Sequence, residues 1–307
     1  MATIEGSTRA IPLDARVVSW GVVRALRPRQ WVKNGVVFAA PTFALAFDSR
    51  SLALAGAVFA AFCAVSSGVY LINDVIDAPK DRLHPFKRYR SIASGVVPVE
   101  AAIPIAVVLL AAGLGLALVA NPTVAAVVGI YVGVQLAYSF GLKTEPIIDI
   151  MCIASGFVLR AIAGAVATGV PMSSWFLLCV ALLAFYLGIE KRKAEIRSAG
   201  EGGTTRVVLK SYSLPLLLRM ESVATGGALL CYTLWALGPG HTSWMLATVP
   251  FVAFSLFRYQ MLTEQGEGEA PESALLRSPH LMGAIVLWGV TSVGLLAFGS
   301  HLASPLR

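Results

Sequence analysis

Charge is what this chain has least of. Only 13% of its 307 residues are Asp, Glu, Lys or Arg, about half the share of an average soluble domain. That deficit excludes an ordinary water-soluble globule. With 57% hydrophobic residues and a mean hydropathy of +0.75, the chain reads as embedded in lipid. Cysteine is scarce too. Cys63, Cys152, Cys179 and Cys231 lie far apart in apolar runs, which excludes zinc-type spacing and a disulfide framework. His84, His241, His280 and His301 are scattered and form no ligand pair. Strand-type alternation is missing, so the chain does not read as a transmembrane barrel. Residues 1–13 carry Glu5 and Arg9 without an apolar core before a cleavage site, so they do not read as a signal peptide.

What is there is a series of long apolar runs. Windows of bilayer-crossing length fall near 32–48, 51–72, 99–120, 123–142, 146–168, 174–190, 214–237, 242–259 and 280–303. They predict an all-α fold, a polytopic membrane bundle of about nine transmembrane helices over 31–307. Residues 1–30 are expected to form a tail and an interfacial helix. Within 14–29, Val17, Val18, Trp20, Val22, Val23 and Leu26 alternate with Arg16, Arg24 and Arg27 at helical spacing. That pattern suits a helix lying on a leaflet, with Trp20 at headgroup depth.

Charge also sets the expected orientation. With the N-terminus cytoplasmic, nearly every Lys and Arg falls on the inside, and the outside segments hold only Arg50 and Arg307. This is the positive-inside pattern. The net charge of +7 then belongs to a face that attracts anionic headgroups and phosphorylated substrates, not nucleic acid. The expected location is the cell inner (plasma) membrane, multi-pass, with the active site on the cytoplasmic side.

The chemistry concentrates in Asn73-Asp74-Val75-Ile76-Asp77-Ala78-Pro79-Lys80-Asp81-Arg82. Three carboxylates at i, i+3 and i+7 share one helix face with Asn73. Like charges so spaced repel, and a divalent cation would compensate them. Mg²⁺ takes one or two carboxylates plus phosphate oxygens and water. Asn73, Asp74, Asp77 and Asp81 are therefore the candidate metal ligands, the three acids being the candidate catalytic residues. The basic run through Lys87 and Arg90 can take the rest of a diphosphate's charge. Tyr70 and Arg82 flank the motif and join the candidate substrate contacts.

Four further groups are candidates for substrate binding. Tyr138 and Lys143 close the fourth span, with hydrogen-bond donors beside a lone cation. Lys191 and Arg192 open the second long loop, either as a basic wall or as a snorkelling helix end. Asp149 and Arg160 lie within the fifth span on nearly one face, where ionisable groups are functional by default. The plainer reading for them is a structural pairing between helices. Lys33 opens the first span, where Gln30 and Asn34, four apart, predict a small polar patch aimed into the bundle.

Together these residues resemble the UbiA superfamily of intramembrane prenyltransferases, whose acidic motif has the form NDxxDxxxD. Arg27 to Asn34, Asp81 to Lys87, Ile92 to Gly95, Tyr138 to Lys143, Leu159 to Gly164, Lys210 to Ser213 and Pro250 to Tyr259 are similar to one branch, the decaprenyl-phosphate phosphoribosyltransferases. The resemblance implies Mg²⁺-dependent transfer of phosphoribose from 5-phosphoribosyl 1-diphosphate to a polyprenyl (decaprenyl) phosphate, with diphosphate released. The product would feed arabinan precursors of the cell wall. The resemblance also allows a homo-oligomer, a trimer. Prenyl transfer to an aromatic acceptor is the alternative on the same scaffold. Such enzymes carry a second DxxxD motif, whereas Asp149 is followed by Ile153 here. One acid fewer, with Lys143 nearby, suits an extra phosphate. A transporter is the more distant reading, and no repeated halves support it.

Overall fold

The computed structural model describes residues 15–199, 207–265, 274 and 277–299. Among these every regular element is helical. Helix α1 spans Ala15–Ala25 and a short α2 spans Ala39–Phe43. Then follow α3 (Ser49–Asp81), α4 (Val99–Ala120), α5 (Pro122–Phe140), α6 (Ile148–Thr168), α7 (Ser174–Ala199), α8 (Leu214–Ala236), α9 (Val249–Glu264) and α10 (Pro279–Phe298). Eight helices among the described residues are long and apolar enough to cross a membrane, α9 together with the 3-10 turn Ser243–Thr248 that leads into it. Their outward faces carry bare apolar side chains such as Val107, Val119, Val223 and Val290, as lipid contact requires.

The span expected at 32–48 takes another form. Pro28–Phe38 is a 3-10 helix that hands over to α2. Its Asn34-Gly35 pair and its valines are weak α-formers. Packing adds a second reason. A Cβ on Gly164 of α6 would collide with the Val37 carbonyl, so the bare glycine lets the 3-10 backbone press directly onto α6. A 3-10 helix rises about 2.0 Å per residue, so this stretch reaches roughly 22 Å without an α-helical span.

Helix α3 departs in the other direction. Asp48 caps it by accepting from the Ser51 amide at 3.0 Å, and it runs 33 residues to Asp81. The span expected to end at residue 72 continues as helix to Asp81. Pro79 removes just one late hydrogen bond so near the helix end. At 1.5 Å per residue α3 is about 50 Å long, against ~30 Å of hydrocarbon. Helix α3 is therefore longer than one apolar layer requires, and the acidic motif occupies its last residues.

The core is built as two lobes. One packs α3 to α6 around Phe62, Val65 and Tyr131. The other packs α7 to α10 around Tyr186, Leu217 and Tyr259. Helix α1 lies apart from both cores, with Val22, Ala25 and Leu26 against Leu71 and Ile92 and Trp20 73% exposed.

Candidate active site

The end of α3, the loop after it, the end of α5 and the end of α7 enclose a polar cavity of about 200 Å³. Helix α3 contributes Tyr70, Asn73, Asp77, Lys80 and Asp81 to its wall. The loop contributes His84, Lys87 and Arg90 at a spacing of three, and turns Leu83, Phe86 and Tyr89 outward. Tyr138, Ser139 and Lys143 come from α5 and the turn after it, Lys191 from α7, and Arg27 and Gln135 complete the ring.

The acids divide between two sets of bases. Asp77 Oδ1 accepts from Lys143 Nζ at 2.6 Å, and its Oδ2 accepts from Asn73 Nδ2 at 3.1 Å. Asp74 lies buried behind the wall, its Oδ1 accepting from Arg27 Nη2 at 2.5 Å and Arg90 Nη1 at 3.2 Å. Arg90 Nη1 also donates to Asp81 Oδ2 at 2.7 Å. The i, i+3, i+7 spacing thus brings the acids to one helix end, as expected, and Arg90 bridges the outer two.

Arg27 is a site residue that sequence reasoning missed, because it reads as one more topology charge. Its backbone is left-handed (φ 55, ψ 58), a strained state for a non-glycine residue. Its guanidinium lies 4.8 Å over the Tyr70 ring. Nothing in the sequence signals that conformation. Lys80 and Gln135 also line the wall, and the sequence pattern singles out neither, whereas Ser139, expected as a hydrogen-bond donor beside Tyr138 and Lys143, does line it.

Among the described residues no three His, Cys, Asp or Glu side chains converge as a ready metal site. One atom nevertheless fits a hard cation. Asn73 Oδ1 is buried with no hydrogen-bond partner, beside Asp77 and against the cavity. Oxygen donors of this kind suit Mg²⁺. Asn73 and Asp77 fit as ligands, whereas Asp74 and Asp81 are both engaged by arginine.

Several predicted contacts lie elsewhere. Asp149 and Arg192 are fully buried and pair with each other, Oδ2 to Nε, at 2.7 Å. Tyr212 Oη donates to Asp149 Oδ1 at 2.6 Å. Arg192 also pairs with Glu195 and reaches Tyr138 Oη at 3.5 Å. Tyr212 keeps its proton, because burial and then the Asp149 hydrogen bond push its pKa up. Close helix contact makes the Asp149–Arg192 pair possible, since a Cβ on Gly188 of α7 would sit 2.7 Å from Ile150 Cγ2.

Arg160 does not meet Asp149, because eleven residues of helix separate them by about 16 Å. Arg160 instead donates to Asn34 Oδ1 at 2.7 Å, Gly156 O at 2.8 Å and Tyr131 Oη at 3.0 Å. Arg82 Nε is spent on the Ala93 carbonyl. The expected Gln30–Asn34 patch is split, because a 3-10 helix aligns i with i+3. Lys33 Nζ therefore donates to Gln30 at 2.5 Å, and Asn34 alone is buried. Lys33 lines a second cavity of about 450 Å³, walled by Val36, Phe43, Phe176, Leu183, Trp235 and Trp288.

His84 is no acid or base candidate. Its Nδ1 accepts from the Phe86 and Lys87 amides, and partial burial followed by the Lys87 charge holds its pKa below the ordinary histidine value.

Comparison with known proteins places this arrangement. Decaprenyl-phosphate phosphoribosyltransferase of Mycobacterium tuberculosis is 40% identical over 288 residues, covering 91% of this chain and 95% of that one. Its namesake from Corynebacterium glutamicum is 39% identical over 280 residues, 87% of this chain and 84% of that one. The UbiA homologue from Archaeoglobus fulgidus bound to GPP and Mg²⁺ shares the fold, with a TM-score of 0.68 at 19% identity over 92% of this chain and 98% of that one. The UbiA homologue from Aeropyrum pernix K1 does so at 0.62 and 15%, over 93% of this chain and 99% of that one. The model of the UbiA prenyltransferase family matches residues 35–283. This multi-pass membrane chain belongs to the UbiA prenyltransferase family.

Proposed function

We propose that the protein transfers a 5-phosphoribosyl group from 5-phosphoribosyl 1-diphosphate to a polyprenyl phosphate, decaprenyl phosphate in the closest chemical reading, for arabinan precursor synthesis. The carrying observation is the excess of cations in the polar cavity. Arg27, Lys80, Lys87, Arg90, Lys143 and Lys191 line it, against Asp77 and Asp81. A prenyl diphosphate has one anionic group to satisfy. The phosphoribosyl donor has two, a diphosphate and a 5-phosphate. The names of the relatives point the same way.

Asn73 and Asp77 would hold Mg²⁺, which when bound neutralises charge building on the departing diphosphate. Lys143 and Arg90 exchange their carboxylate partners for phosphate oxygens as the donor enters. The C1–oxygen bond to diphosphate breaks through an oxocarbenium-like state. An acceptor phosphate oxygen closes a new bond to C1 from the opposite face, with inversion. That oxygen is already anionic at neutral pH, so no strong base is needed, in keeping with the accepting role of His84. The apolar cavity takes the first part of the acceptor chain, with Lys33 at its polar end. We assign 1–30 to a tail and interfacial helix, of which 1–14 lie outside the described residues, 31–307 to the catalytic bundle, of which 200–206, 266–273, 275–276 and 300–307 lie outside them, and the polar cavity to the cytoplasmic side of the inner membrane.

The test is transfer of radiolabelled phosphoribose into a polyprenyl phosphate by purified protein in detergent. Label entering the lipid phase, and lost with EDTA, is expected. Inertness there, with activity on a prenyl diphosphate and an aromatic acid, would return the protein to ordinary prenyl transfer.

A further inference from the structure

Glu190-Lys191-Arg192-Lys193 reads in sequence as a run of charge, yet the fold sends its members in three directions. Lys191 lines the polar cavity. Arg192 meets Asp149 on α6. Lys193 is 1% exposed at its side chain and pairs with Glu190 at 3.0 Å, with Glu264 at 3.1 Å and with Glu221. Those carboxylates come from α7, α9 and α8. An ammonium has three donors, and here each has its own acid. The remaining carboxylate oxygens are also satisfied. Thr263 Oγ1 donates to Glu190 at 2.5 Å, Gln260 Nε2 to Glu221 at 2.7 Å and Arg197 Nη2 to Glu264 at 2.5 Å. A saturated network around a buried ammonium holds one geometry and resists partial rearrangement.

We propose that Lys193 is a positioning residue that sets the rotation of the end of α7. Successive helical residues turn by about 100°. Fixing Lys193 between α8 and α9 therefore aims Arg192 at α6 and Lys191 at the cavity. A twist of one residue's width would bury Lys191 and pull Arg192 from Asp149. This inference rests on the proposed phosphate-binding role of the cavity only for its functional consequence, since the rotation itself is measurable without substrate.

All four native cysteines are buried, so introduced ones can be read by a charged maleimide. Lys191→Cys should label readily and Arg192→Cys should stay silent. Adding Lys193→Met should slow labelling at 191 at least fivefold and raise it at 192. Glu264, with 48% of its side chain exposed, offers a milder change. Glu264→Gln should shift the same ratio about twofold with an unchanged melting temperature, and it decides the matter if Lys193→Met does not fold. Identical labelling ratios in all backgrounds would overturn the proposal, leaving the network as simple glue between helices. Adding Mg²⁺ and inorganic diphosphate separates the two readings. Protection of position 191 is expected, whereas an unaffected 191 with a shifted ratio would sink the phosphate site and keep the positioning role.

Discussion

At the scale of single residues, each acid of the site is paired with a base before any substrate arrives. Asp77 pairs with Lys143 at 2.6 Å, so each has a separate job once phosphate displaces the pair. Asp77→Ala should lower kcat by roughly a hundredfold or more, the size typical of losing transition-state charge stabilisation. Lys143→Gln should instead raise the donor KM about tenfold and leave the acceptor KM within twofold, both measured by the lipid-phase transfer assay. Equal kcat losses in the two variants would mean that the cation does not read the donor's phosphates. His84 adds a pH effect. Its pKa is held low by partial burial and then by Lys87, so the folded loop favours the neutral ring. The contribution is full above the ordinary histidine value of about 6.5 and is lost as pH falls through the lowered one. The melting temperature should therefore fall more steeply between pH 7 and pH 5 in the native protein than in His84→Ala. Parallel profiles would remove His84 from loop control.

At the scale of elements, apolar length was legible and backbone type was not. Eight of the expected spans are helices of membrane-crossing length, because an uncharged apolar run in lipid has no other way to satisfy its backbone. The acidic motif was legible for the same local reason, since spacing on one helix face needs no knowledge of neighbours. Pro28–Phe38 could not be read this way. Its 3-10 form depends on a contact with α6, over a hundred residues later. Asp149 and Arg192 likewise look like separate site residues until α6 and α7 meet at Gly188. Gly164→Val tests the first of these contacts. It should destabilise the protein by about 3 kcal/mol or more, as forced overpacking does, and lower the melting temperature in detergent. A melting temperature unchanged from the parent would mean the 3-10 segment can move aside without cost. Gly35→Val, where a Cβ would meet no neighbour within 4 Å, serves as the control for added bulk in the same segment.

At the scale of the whole molecule, the polar and apolar cavities share one bundle but differ in lining. The polar one is built at the end of α3, and the apolar one is walled by residues such as Phe43, Trp235 and Trp288. Removing divalent cations should abolish transfer while leaving helix content and melting temperature nearly unchanged, because the acids keep their arginine and lysine partners. Circular dichroism with and without EDTA checks this. Collapse of the helical signal would instead make the metal part of the fold.

The unlike lining of the two cavities has one more consequence. On the proposed function, a catalyst that joins a water-soluble donor to a lipid acceptor measures its two reactants on different scales. The donor counts per litre of solution, the acceptor per unit of membrane surface. Mixing inert phospholipid into vesicles at constant total acceptor should slow the reaction by surface dilution alone. Doubling the number of vesicles of one composition, with enzyme and donor concentrations fixed, should leave the rate almost untouched.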